Sequence, residues 1–168
     1  MRTVYNRKAI AVILAIAFIA LILPISTVQS RCVDFRKLPF VEYATANAVL
    51  GPKTDFSIGF LDIYISGSGY ATYLGKISIW QHHYVDLNTM TFYDGTYTDT
   101  AANGNTIFGT YHGYMVPLQN GDLEIHGIFT IDGGTDRFCD VAGGGRALGV
   151  QHPDNTAWLL LLGTIIFE

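Results

Sequence analysis

The sequence predicts an all-β chain, an eight-stranded antiparallel β-barrel with a two-sheet sandwich as the alternative. Three observations carry this. From Phe40 onward no stretch repeats its apolar residues at helical spacing. Short runs rich in Ile, Tyr, Phe and Thr alternate instead with clusters of Gly, Asn and Asp, as strands alternate with turns. Asn103-Gly104 and Asn120-Gly121 then supply residues suited to the positive φ angles of tight type I′ hairpins, so chain neighbours are expected to pair antiparallel.

Before the first strand comes a leader. Arg2, Arg7 and Lys8 precede an apolar run from Ala9 to Leu23, followed by Pro24 and the small-residue ending Val28-Gln29-Ser30. A basic start, about 15 apolar residues and a small residue before the cut are what a signal peptidase reads, and the run falls short of the ~20 residues of a spanning helix. Residues 1–30 are therefore expected to be a signal peptide cut after Ser30, residues 31–168 one domain, and the product secreted or held at the outer cell surface. Only a retained leader would tether it to a membrane.

The expected strands then follow in order. Val41–Ala46 and Ile58–Ile65 open the domain. Tyr70–Leu87 exceeds a usual strand and is read as one strand that bends, with Gly75 permitting the bend. Thr89–Thr98 and Thr106–Val116 flank Asn103-Gly104, and Leu123–Ile131 follows Asn120-Gly121. Arg146–Gln151 and Ala157–Phe167 complete eight, enough to close a barrel and remove exposed sheet edges. Gly143-Gly144-Gly145 has no following Lys-Ser or Lys-Thr, so it reads as a turn or bulge and not as a phosphate loop.

Charge narrows the partners. Three of the 10 basic residues leave with the leader, so 7 face 14 acidic ones, a formal charge of −7 over 138 residues. Nucleic acid and anionic lipid both reward Lys and Arg, so this balance argues against either. Two cysteines remain, Cys32 and Cys139. In an oxidising compartment a disulfide between them is expected, and closing so long a loop stabilises by roughly 4 to 5 kcal/mol in the chain-entropy model. Two free thiols, or a lipid on Cys32, are the alternatives; Arg31 stands where a lipid-attachment signal wants a small residue.

Three glycine-punctuated blocks are the most distinctive: Gly69-Tyr70-Ala71-Thr72-Tyr73-Leu74-Gly75, Ala101-Ala102-Asn103-Gly104-Asn105-Thr106-Ile107-Phe108, and Phe129-Thr130-Ile131-Asp132-Gly133-Gly134-Thr135-Asp136-Arg137-Phe138. Together they resemble a group of exported bacterial and archaeal proteins, largely uncharacterised, and the last two blocks also resemble plant dirigent proteins and, more remotely, allene oxide cyclase. The resemblance spans roughly Gly67 to Phe167. It implies an eight-stranded antiparallel barrel, with a central cavity in the plant members. In this light Asn103 and Gly104 make a hairpin, Gly133 and Gly134 let the chain leave a strand, Phe138 plugs the barrel end, and Arg137 tethers the turn to a carbonyl or carboxylate. Tyr73 stands where the similar proteins carry His, and Asp136 where they carry Gly, so the fold carries over and an activity does not.

The remaining candidates are histidines and aromatics. His82 and His83 are adjacent, so on a strand they face opposite ways and cannot both enter one metal site; no metal is predicted from the spacing of these two with His112, His126 and His152. In Thr106–Val116, Phe108, Thr110, His112 and Tyr114 share one face, with Ile107, Gly109, Tyr111, Gly113 and Met115 on the other. In Leu123–Ile131, Leu123, Ile125, Gly127, Phe129 and Ile131 form a core face, opposite Glu124, His126, Ile128 and Thr130, although a cavity could be lined by either kind. If the mixed faces lined the interior, His112, Tyr114, Glu124 and His126 would orient a ligand or move a proton; otherwise they decorate an outer surface.

No catalytic constellation is recognisable, and no cofactor is implied: Gly-x-Ser-x-Gly and His-Glu-x-x-His are both missing. Three functions fit: binding or orienting a small apolar ligand in the barrel, an isomerase or cyclase resembling allene oxide cyclase, or a solid-cored module that forms homo-oligomers through outer aromatic faces. The state of the interior separates them.

Overall fold

The computed structural model describes residues 36–167; the leader and Cys32 lie outside them. Nine strands run in the order β1 Arg36–Leu50, β2 Phe60–Ala71, β3 Gly75–Asp86, β4 Thr91–Ala101, β5 Thr106–Pro117, β6 Leu123–Ile131, β7 Gly133–Gly134, β8 Val141–Gln151 and β9 Thr156–Phe167. Each long strand pairs antiparallel with its neighbours, and β1 pairs with both β2 and β9. The long strands thus close into an eight-stranded antiparallel barrel, with the two-residue β7 as an extra edge on β5. The expected fold is present, and the sandwich is not.

Alternation explains which side is inside. Along β1, Phe40, Glu42, Ala44, Ala46 and Ala48 are buried while Val41, Tyr43, Thr45, Asn47 and Val49 face outward. The period-2 rule holds around the wall, with one interruption. Strand β4 carries one residue more than both neighbours between Phe92 and Gly95, so Tyr93 and Asp94 both point out and Asp94 takes a φ of 51°. This β-bulge sharpens the local twist and re-aims the side chains beyond it.

Several expected boundaries are corrected. Tyr70–Leu87 is not one bent strand. It breaks at Thr72–Leu74 into the β2–β3 hairpin, where Tyr73 and Gly75 have φ of 70° and 74°. A residue such as Tyr gives no sequence signal for a left-handed turn, so the break was hidden. Gly143-Gly144-Gly145 is not a turn either: it lies inside β8, paired in continuous register with Ile131, Thr130 and Phe129. The two Asn-Gly hairpins exist, but only Gly104 and Gly121 have positive φ. The Gly104 and Gly121 amides donate to the Ala101 and Leu118 carbonyls, and Ala101 and Leu118 N–H donate to Asn105 and Asp122. These are three-residue loops with the glycine as a bulge, not two-residue type I′ turns.

One end of the barrel is plugged. After β7 the chain makes a 3-10 turn at Asp136–Phe138, which carries the fully buried Phe138 inward. Its ring packs 6.0 Å from Phe167, and Phe40, Ile107, Ile131 and Ile165 are equally buried in this half. The Arg137 guanidinium donates to the Tyr73 carbonyl, tying the turn to the β2–β3 hairpin. Thr135 Oγ1 accepts the Thr106 N–H at 2.9 Å, fastening the Gly133-Gly134 exit to β5. Asp136 takes a φ of 50°, a left-handed conformation that favours glycine. Cys139 follows, exposed, its thiol donating to Asp140 at 3.0 Å; its expected partner Cys32 lies outside the described residues.

Candidate functional site

The other half of the barrel is not filled. Ala48, Ala147 and Ala157 are too small to reach the axis, and a cavity of about 50 Å³ remains between them and Ile65, Met115, Ile125, Leu159 and Leu161. Three aromatic rings and an imidazole close one side: Phe92 lies 5.9 Å from Tyr111 and 5.5 Å from His83, and Tyr97 lies 6.4 Å from Tyr111. In a measure where one water occupies roughly 10–15 Å³, this is room for a few non-hydrogen atoms.

Polar groups enter this apolar space at a few points. His83 Nδ1 and the Tyr111 hydroxyl are hydrogen-bonded at 2.7 Å. Burial, reinforced by the charge of neighbouring His82, pushes the His83 imidazole down to about 4, and burial alone pushes the Tyr111 phenol up. Both are therefore neutral at physiological pH. Gln81 and Gln151 add carboxamides to the wall. Tyr97 forms the floor: its hydroxyl donates to the Thr130 carbonyl at 2.7 Å, two strands away. Gly109 on the intervening β5 makes this possible, since a Cβ there would stand 2.9 Å from the Tyr97 ring. Replacing Tyr97 by Phe leaves that carbonyl without its donor and is expected to cost about 1 kcal/mol of unfolding free energy in a urea titration; an unchanged midpoint would show the bond contributes nothing.

Beneath Tyr97, between the cavity and the plug, lie two carboxyls, Glu42 from β1 and Asp99 from β4, which are 1% and 0% exposed. No donor among the described residues reaches any of their four oxygens. A proton on one of them would supply the donor and let the pair join in a single hydrogen bond. Burial pushes Glu42 up to about 7, and burial with the charge of Glu42 pushes Asp99 well above the usual carboxylate range. Two acids this close and this dry cannot both ionise cheaply.

The residues singled out from the sequence stand elsewhere. His112, Tyr114, Glu124 and His126 do come together, but on the outer wall of β5 and β6, so the interior is the other, apolar set. There His126 Nε2 lies 3.1 Å from Glu124 Oε1, and the His126 and Tyr114 rings stack at 5.1 Å. Arg146, Ile128 and Leu148 complete a shallow depression around them. His82 and His83 face opposite ways, as adjacent strand residues must. Outside, His82 Nε2 meets Asp62 at 2.7 Å and its ring stacks on Tyr64 at 4.4 Å. Burial works against the Asp62 carboxylate, yet its bonds to His82 and the Lys53 amide outweigh this and hold it below the usual range.

Sequence reasoning missed Glu42, Asp99, Gln81, Gln151 and Tyr97. A signal existed for Glu42: it sits in phase with Phe40 and Ala44, on the face that alternation assigns to the core. Asp99 carried none, because the bulge at Tyr93-Asp94 resets the phase of β4. Compared with known proteins, the chain matches no protein-family model, no curated protein and no solved structure.

Proposed function

We propose that this chain is an exported barrel, akin to the dirigent and allene oxide cyclase type, that binds a small and mostly apolar molecule inside the barrel. The observation that carries the reading is the unfilled half of the interior: alanines where larger side chains would close the core, beside a neutral His83–Tyr111 pair. Packed interiors rarely leave such space, and an apolar hollow with a few convergent polar groups is the usual form of a ligand site. Entry is expected from the end carrying the 51–59, 87–90, 118–122 and 152–155 connections, because the other end is stoppered by Phe138. Protein purified from its producing cells should release a small molecule on organic extraction, and Ala147→Leu, which takes the space, should release none. Indistinguishable extracts from the two proteins would overturn the reading.

A second reading has one observation in its favour. The His83–Tyr111 pair places hydrogen-bonding groups in a water-poor cavity, where they stabilise developing charge more strongly than in water. That is what an isomerase or cyclase needs. Conversion of the extracted molecule into a product of equal mass by wild type, but not by Tyr111→Phe, would favour it over simple binding.

A further inference from the structure

Resting on the binding reading above, we propose that the cavity selects uncharged molecules, an alcohol or carbonyl compound whose oxygen docks on the His83–Tyr111 pair, and rejects carboxylates and ammonium ions. Arg36, Lys37, Lys53, Lys76, Arg137 and Arg146 are all exposed, so no described Lys or Arg reaches the interior. Among the described residues, the one base on the cavity wall, His83, is 8% exposed and neutral. A carboxylate brought here would leave water and meet no positive charge, with Glu42 and Asp99 lying behind Tyr97. Burying an unpaired charge costs far more than burying a hydroxyl that keeps its hydrogen bonds.

An ammonium ion fares no better. Among the described residues no carboxylate lines the cavity, and Glu42 and Asp99, 1% and 0% exposed, lie buried beyond its Tyr97 floor. The Tyr97 hydroxyl that could bridge to them is already committed to the Thr130 carbonyl. The aromatic rings pack edge-on or tilted against one another, so they form a wall and not an open cage.

What the wall does offer is complementary to a neutral oxygen. If the Tyr111 hydroxyl donates to His83 Nδ1, the imidazole keeps Nε2–H as a donor and the phenol oxygen keeps an acceptor site. If Nδ1–H donates instead, Tyr111 keeps its O–H and Nε2 becomes the acceptor. Either tautomer therefore leaves one donor and one acceptor for a ligand, which a hydroxyl group uses in full and a carbonyl in part. The carboxamide of Gln81, 7% exposed and on the same wall, makes no hydrogen bond among the described residues and adds one more of each.

The test uses four-carbon probes that differ only in the head group, matched to the space available: 1-butanol, 2-butanone, butyrate and butylammonium at pH 7, with xenon as a probe lacking any head group. Methyl resonances of Met115, Ile125 and Leu161 report occupancy in isotope-labelled protein. Butanol and butanone are expected to saturate these shifts at concentrations at least tenfold lower than either ion. Tyr111→Phe should weaken butanol several-fold while leaving xenon unchanged. Butyrate or butylammonium binding as well as butanol would overturn the neutral-ligand proposal and leave the binding reading intact. Failure of every probe, xenon included, to shift the three methyls would overturn both, since the cavity would then be closed.

Discussion

Glu42→Gln is expected to stabilise the barrel at pH 8 by on the order of 3 kcal/mol and to leave its stability at pH 4 nearly unchanged. In the wild type Glu42 titrates near 4.5 when unfolded and at about 7 when folded. The folded chain therefore holds the proton more tightly across that interval, and each step of rising pH favours the unfolded chain. Stability from the protonated pair is fully present below pH 4.5 and drains away as pH passes 7, with Asp99 extending the loss to higher pH. A glutamine amide donates to Asp99 without needing a proton from solution, so the variant escapes the Glu42 share of this loss.

His83 must be separated from this effect. It titrates at about 4 folded against 6.5 unfolded, so it adds stability as pH rises through that interval. The two groups pull in opposite directions between pH 4.5 and 6.5, and the wild-type profile is expected to be shallow there, turning down only above it. The quantity to read is the difference between the Glu42→Gln and wild-type urea unfolding free energies, followed by tryptophan fluorescence at each pH. A difference that does not grow between pH 5 and 8, or a variant less stable at pH 8, would mean the pair does not share a proton.

Phe138→Ala is expected to be the most damaging single truncation. The ring is fully buried, packs on Phe167, and closes this end of the barrel. Losing a buried phenylalanine costs about 3 to 5 kcal/mol, a third or more of the stability of a typical domain, and lowers Tm by roughly 10 to 20 °C for a chain of this size. Arg137→Ala should cost much less, because the exposed guanidinium only steers the turn that delivers the ring. Calorimetry on both variants checks the ranking; a larger drop for Arg137→Ala would place the stability in the tether and not the plug.

How far the site was readable follows from the period of a strand. Alternation in β5 and β6 correctly divided Tyr111 and Met115 from His112 and Tyr114, and Phe129 from Glu124 and His126. It did not say which set was inside, because a barrel wall with aromatics and glycines on both faces has no strongly polar side. The observed answer puts the apolar set in the cavity, moving chemical interest from His112 and His126 to His83 and Tyr111. Those two stand 28 residues apart, on β3 and β5, the strands that flank β4, and it is the register of that three-strand wall at the β4 bulge that sets His83 within 2.7 Å of Tyr111.

Local sequence was enough for the strand-and-turn rhythm, the antiparallel pairing of chain neighbours and the hairpins at Gly104 and Gly121. These are local properties, set by two-residue periodicity and by which residues tolerate a turn. Tertiary structure alone decided that Tyr70–Leu87 breaks at Tyr73, that the glycine run 143–145 is strand, that Glu42 and Asp99 meet, and that three alanines leave a hollow beside His83 and Tyr111. Each depends on backbone conformation or on what stands beside a residue through space, which chain spacing does not reveal.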